Sequence, residues 1–126
     1  MMIALALMLA APGGPCSNPN ADQQTINACE AENYARADAA MNRQWKLTLA
    51  AMQQFDKDVG PPEDGSPTNA ALLLTSQRAW LSFRDAQCEL EGAQMRGGSA
   101  QPAIYSGCLA RLTKARTAQL HELAGD

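Results

Sequence analysis

An all-α fold is what this sequence predicts: a three-helix antiparallel bundle with one long N-terminal helix, stapled by two disulfides. Three observations carry that reading. The chain is 46% hydrophobic over 126 residues, but mostly through Ala and Leu; Val occurs only at Val59, Ile only at Ile3, Ile26 and Ile104, and aromatics make up 5%. A large sheet wants β-branched and aromatic residues, whereas Ala, Leu, Met, Gln, Glu, Arg and Lys favour helix. From Gln23 to about Asp58 there is neither Gly nor Pro, and both cluster further on in short stretches that separate apolar periodic runs. The four cysteines form an even set in a chain of single-domain size.

The elements follow in order. Met1 to Ala11 reads MMIALALMLAA, and no charged side chain precedes Asp22. The run is too short to span a bilayer. It fits the apolar region of a secretory signal peptide, with the small pair Ala10-Ala11 near a cleavage point, although the basic residues usual before such a run are missing. The competing reading is a buried N-terminal helix. Residues 12–126 then form one helical domain. Cys16 follows Gly13-Gly14-Pro15, and proline directly before the cysteine departs from a lipidation signal, so no lipid anchor is expected.

Asp22 is placed to cap helix one. Ile26, Cys29, Ala37, Met41, Trp45, Leu49, Met52 and Phe55 recur mostly three or four apart, the stripe of one long amphipathic helix, curved or broken near its end. The run VGPPEDGSP, Val59 to Pro67, forbids regular structure. Ser66-Pro67 reads as a cap followed by proline in the first turn, and helix two runs from about Pro67 to Arg96 on a stripe of Leu73, Leu74, Gln77, Leu81, Arg84 and Cys88. Gly97-Gly98 stops it. Ser99 caps helix three, which carries Pro102 in its first turn and runs to about Leu123, with Ile104, Tyr105, Cys108, Leu109, Leu112, Arg116 and Leu120 as its stripe. Short connections make neighbouring helices antiparallel.

Four cysteines allow three pairings. Proximity favours Cys16–Cys29 and Cys88–Cys108, as in an exported protein of an oxidising compartment. The spacings are not of the Cys-x-x-Cys kind, which argues against zinc and thioredoxin-type chemistry.

Charge excludes several classes of function. Ten basic against thirteen acidic residues leave a net charge of −3, with no basic strip, so nucleic acid is not expected as a partner. The single histidine, His121, stands near a helix C-terminus, where a cation interacts well with the helix dipole; it makes a His-based metal site or a catalytic triad improbable. No metal and no cofactor are expected. Arg84 and Arg116 interrupt apolar stripes, and a charge there is costly unless paired. A structural polar network of Asp38, Asn42, Arg84, Asp85 and Arg116 is therefore expected, fixing helix register. Trp45 and Trp80 read as core aromatics rather than sugar-stacking platforms. Phe83 falls on a different face of helix two from Leu81 and reads as more exposed.

Residues 77–88, QRAWLSFRDAQC, resemble the signature of the LprI-type lysozyme inhibitor domain, a family of small exported bacterial domains. Cys16 and Cys29 resemble the family's paired cysteines at the start of helix one. Asp38, Met41, Asn42 and Trp45 resemble its Asp-x-x-Leu-Asn-x-x-Tyr stretch, with Met for Leu and Trp for Tyr. Gly97-Gly98-Ser99, Cys108-Leu109, Leu112-Thr113 and Arg116 resemble its last helix. The likeness covers about Cys16 to Leu123, and the Pro-rich loop reads as particular to this chain. It implies an all-helical, disulfide-held fold, a periplasmic or secreted location with no membrane span, and inhibition of lysozyme by binding rather than by enzymatic chemistry. Lysozymes of the animal type are basic and cleave with two carboxyl groups in a cleft, so an acidic partner is steered toward them. Glu63 and Asp64 in the Val59–Pro67 loop, with Arg96 and Ser99 in the Arg96–Gln101 turn, are the candidate partner-binding residues. The alternative is a non-enzymatic envelope module that binds another protein or a cell-wall fragment.

Overall fold

The computed structural model describes residue 16 and residues 18–125; the Met1–Ala11 segment read as a signal peptide lies outside the described residues. Helix α1 spans Gln23–Val59, α2 Asn69–Ala93 and α3 Gln101–Ala124, and there is no strand among the described residues. At 1.5 Å per residue, the 37 residues of α1 make a rod of about 55 Å. It is unbroken to its end. The Asp22 carboxylate accepts from the Thr25 amide at 2.7 Å. At the other end Gly60, with φ +75°, turns the chain out of the helix while its amide donates to the Asp56 carbonyl; only glycine takes that φ without strain.

The other two helices start later than the sequence predicts. Ser66-Pro67 does not open α2. Thr68 is the cap, its hydroxyl accepting from the Ala71 amide. The physical reason lies on the neighbouring helix: Asp56 accepts from the Asn69 amide at 2.9 Å, the Ala70 amide at 2.9 Å and the Asn69 side chain at 3.0 Å. A carboxylate from α1 thus fixes where α2 begins. Ser99 does not cap α3 either. Successive turns carry the chain through Gly98 to Gln101, Ala100 already has helical dihedrals, and no side chain caps the helix. The Ser99 carbonyl instead accepts from Asn27 on α1.

Long-range partners set the directions. Asn27 with Ser99, Asn33 with Lys114 and Thr48 with Leu120 rise together along the chain, so α1 and α3 run parallel. Asp38 with Arg84 and Asp56 with Asn69 run oppositely, so α2 is antiparallel to α1; its pairs with α3, Glu91–Arg111 and Gln77–Arg116, make it antiparallel to that helix too. The largest helix–helix interface joins α1 and α3. Small buried residues, Ala37 on α1 and Ala103 and Ala110 on α3, allow the close approach.

The core has two apolar clusters. Met41, Leu73 and Leu120 form one, with Trp45, Leu49, Met52 and Trp80 packed against it. Cys88, Cys108 and Leu109 form the other, with Tyr34, Tyr105 and Leu112. The bridges are Cys16–Cys29 and Cys88–Cys108. Leu74 and Phe55, read as stripe residues, are exposed, as is Phe83.

Candidate functional site

Between the two clusters lies a polar layer built around Trp80. The guanidinium carbon of Arg84 stands 5.3 Å from the centre of the indole ring, and that of Arg116 5.8 Å. Arg84 also lies over the Tyr34 ring at 5.5 Å. Two buried cations thus share one aromatic face system, a contact strengthened where water is excluded. Both arginines sit in apolar stripes of the sequence: an aliphatic stem can lie along apolar surface, and the rings of Trp80 and Tyr34 receive the charged ends.

Each guanidinium then finds its own acceptors. Arg84 donates from Nε to Asp85 at 3.0 Å and from Nη1 to the fully buried Thr113 hydroxyl at 3.4 Å. Its approach to Asp38 is one 3.8 Å contact, and the Asp38 side chain is 38% exposed. Asn42 does not reach Arg84; its amide donates to Asp38 at 3.3 Å. The five residues expected as one network therefore divide. Asp38, Asn42, Arg84 and Asp85 stay together, while Arg116 donates to Gln77 at 2.9 Å, Ser76 at 3.0 Å and Gln119 at 3.3 Å. Trp80 joins the two groups. Burial pulls the Arg116 guanidinium down from its ordinary value and pushes the Tyr34 hydroxyl up, with the Arg84 charge opposing the latter. No buried side-chain oxygen or nitrogen among the described residues lacks a partner. No buried polar atom of the layer is thus left with an uncompensated desolvation cost.

The layer reaches solvent in a shallow groove between α1 and α2, lined by Asp38, Asn42, Trp45, Leu74 and Arg78. A second groove, between α1 and α3, is edged by Glu30, Glu91, Arg111 and Lys114. There Arg111 donates to both Glu91 oxygens, at 2.8 and 3.0 Å, which holds the Glu91 carboxyl below its ordinary value. Among the described residues, no group of three or more His, Cys, Asp or Glu is placed to hold a metal ion, and no helix is long and apolar enough to cross a membrane.

The candidate partner-binding residues fall on two separate surfaces. Glu63 and Asp64 are exposed on the α1–α2 loop, where Asp64 accepts from the Ser66 amide and hydroxyl, which lowers its carboxyl. Arg96 and Ser99 are exposed on the α2–α3 turn. The two connections cap opposite ends of α2, whose 25 residues set them about 37 Å apart. Sequence reasoning missed Tyr34, Ser76 and Gln119 as partners of the arginines, and Asp56 as the cap of α2. For Ser76 a signal existed: it precedes Gln77, a polar residue inside an apolar stripe.

Comparison with known proteins identifies a family whose match spans these residues. The model of a family described as "Lysozyme inhibitor LprI" matches residues 16–120. That span contains both bridges, the polar layer and all three helix starts. An uncharacterized protein of Rhizobium meliloti (strain 1021) is 40% identical over 126 residues, covering 96% of this chain and 91% of the relative. The uncharacterized protein YecT of Escherichia coli (strain K12) is 31% identical over 108 residues, covering 82% of this chain and 65% of that protein. No solved structure matches the chain.

Proposed function

The chain belongs to the lysozyme inhibitor LprI family, and from that premise we propose that it inhibits a lysozyme by binding it outside the cytoplasm, in the periplasm or as a secreted protein. The family match over residues 16–120 is the observation that carries the reading. The two bridges support the location, since disulfides persist in oxidising compartments. The fully partnered polar layer supports binding over chemistry, because its arginines are committed to structural acceptors.

The docking surface is the α1–α2 loop. Pro61, Pro62 and Pro67 limit its conformations, and Asp64 is pinned by Ser66, so little order is lost when a partner closes on it. Glu63 and Asp64 stand in solvent on the loop that follows the exposed Asp58 of the last turn of α1, acidic groups that attract a basic enzyme. Arg96 and Ser99, at the other end, face away from that contact.

A turbidity assay of bacterial cell lysis by lysozyme, with the purified oxidised protein, tests this. Lysis should slow with dose. The double variant Glu63→Lys with Asp64→Lys should weaken inhibition by on the order of tenfold and reduce its salt dependence, while Arg96→Glu should leave it near the parent. Absence of dose-dependent slowing by the parent defeats the lysozyme reading and leaves an envelope-binding module. Inhibition that survives in the loop variant but fails in Arg96→Glu moves the surface to the opposite end.

A further inference from the structure

Helix α2 carries a second, mostly apolar strip on its exposed side; one member, Ser76, also accepts from Arg116 of α3. Leu72, Ser76, Ala79, Phe83, Ala86 and Leu90 are all exposed, and they are spaced 4, 3, 4, 3 and 4 residues apart. That is the spacing of a coiled-coil seam. The core face of the same helix is a different one, carried by Leu73, Gln77, Arg84 and Cys88. The three large members are exposed by more than half: Leu72 52%, Phe83 56% and Leu90 56%. A contiguous exposed strip of this kind marks an interaction surface.

We propose that this strip is a dimer interface, in which α2 of one copy packs antiparallel against α2 of a second copy across a two-fold axis. The order of residues selects that occupant. Turn the strip about its midpoint, near Leu81, and it complements itself. Leu72 meets Leu90 of the other copy, Ser76 meets Ala86, and Ala79 meets Phe83. Small lies against large at the centre and leucine against leucine at both ends. An isologous contact requires such self-complementarity; an arbitrary partner does not. A parallel pair would instead set Phe83 against Phe83 and Ala79 against Ala79, leaving a bulge beside a gap.

The borders agree. Thr75, Ser82 and Gln87 flank the strip without charge, and Glu89 is the one charged border residue. In the antiparallel pair Glu89 falls beside Thr75 of the other copy, so no like charges face each other. With both copies counted, the strip and its borders bury roughly 1,000 Å², the lower edge of specific interfaces, which predicts a weak, concentration-dependent dimer.

Sedimentation velocity on the disulfide-intact chain over a micromolar to millimolar series tests this. The parent should shift from monomer to dimer as concentration rises. Phe83→Glu should remain monomeric, with a helical circular-dichroism spectrum equal to the parent's because the side chain is exposed. Phe83→Ala and Ala79→Phe should each weaken the dimer at least tenfold, and the double variant should recover most of the loss, since it swaps which copy supplies the large side chain at each contact. A parent that stays monomeric throughout overturns the proposal. So does a dimer that survives Phe83→Glu. A monomer whose lysozyme inhibition is lost in Phe83→Glu also overturns it, and makes the strip the face for that partner. Failure of the double variant to recover rules out the antiparallel register.

Discussion

The two ends of the bundle are held together by different means. At the end where α1 begins, both bridges act: Cys16–Cys29 ties the incoming chain to α1, and Cys88–Cys108 joins α2 to α3. At the end where α1 finishes there is no covalent link among the described residues. Met41, Leu73 and Leu120 pack there, the Thr48 hydroxyl donates to the Leu120 carbonyl at 2.7 Å inside the core, and Asp56 holds the first turn of α2. One end limits the unfolded chain; the other end depends on burial and on a few satisfied hydrogen bonds. Redox conditions thus act at one end alone among the described residues, while carboxyls lowered by folding lie at both, Glu91 at the bridged end and Asp56 at the other.

Breaking the bridge between helices should cost the most. Its loop of 20 residues predicts a loss of about 3–4 kcal/mol for Cys88→Ala with Cys108→Ala. Amide exchange should then show the α2–α3 turn opening before the last turns of α3. If the last turns of α3 still open first, the bridge is not what holds that end. At the unlinked end, Leu120→Ala empties a site with no solvent exposure and should cost about 3 kcal/mol in a thermal or denaturant melt. A loss under half of that would mean that the end can collapse around the cavity.

The polar layer between the ends should yield less than its charges imply. Asp38 is 38% exposed and meets Arg84 only at 3.8 Å. A double-mutant cycle of Arg84→Met and Asp38→Asn should therefore give a coupling below about 1 kcal/mol, as for other partly exposed pairs. A larger coupling would make Asp38, rather than Thr113 and the Trp80 and Tyr34 rings, the group that holds Arg84 in place.

The smallest effect is one of pH. Hydrogen bonds from Ala70 and Asn69 hold the Asp56 carboxyl below its ordinary value. A carboxyl lowered by folding stabilises fully above its unfolded pKa, about 3.9, and loses that contribution as pH falls through the folded value. Asp56→Ala should therefore melt below the parent at pH 7, with the gap narrowing below about pH 4. A gap that is constant with pH would assign the Asp56 contribution to packing instead of charge.

Much of the fold was legible because its signals are local. The Gly- and Pro-free run from Gln23, the Asp22 carboxylate and the two Pro/Gly breaks act within a few residues of the structure they cause. The starts of α2 and α3 were not legible for the opposite reason. Asp56 lies 13 residues before Asn69 in sequence and on another helix, so nothing near Ser66-Pro67 records its effect. Past Ser99 the Gln101 amide already donates to the Gly98 carbonyl and Ala100 has helical dihedrals, so the cap position falls on Ala100, which has no hydroxyl to offer. Arg84 and Arg116 were visible as charges inside apolar stripes. Their shared indole was not, because it depends on two helices meeting at Trp80. Thr48 and Thr113 gave no sequence signal at all: each is fully buried because α1 and α3 approach so closely, and a hydroxyl fits where a longer polar side chain does not.

The parallel run of α1 beside α3 also decides how the molecule carries a mechanical load. The chain enters at one end of α1 and leaves at the opposite end of α3, so tension applied to the two chain ends drags these helices past each other along their length. Loaded in that way, contacts from Asn27–Ser99 to Thr48–Leu120 bear force together instead of peeling apart one by one. The α2–α3 hairpin, joined by Cys88–Cys108, cannot lengthen by opening at its turn while that bridge is intact.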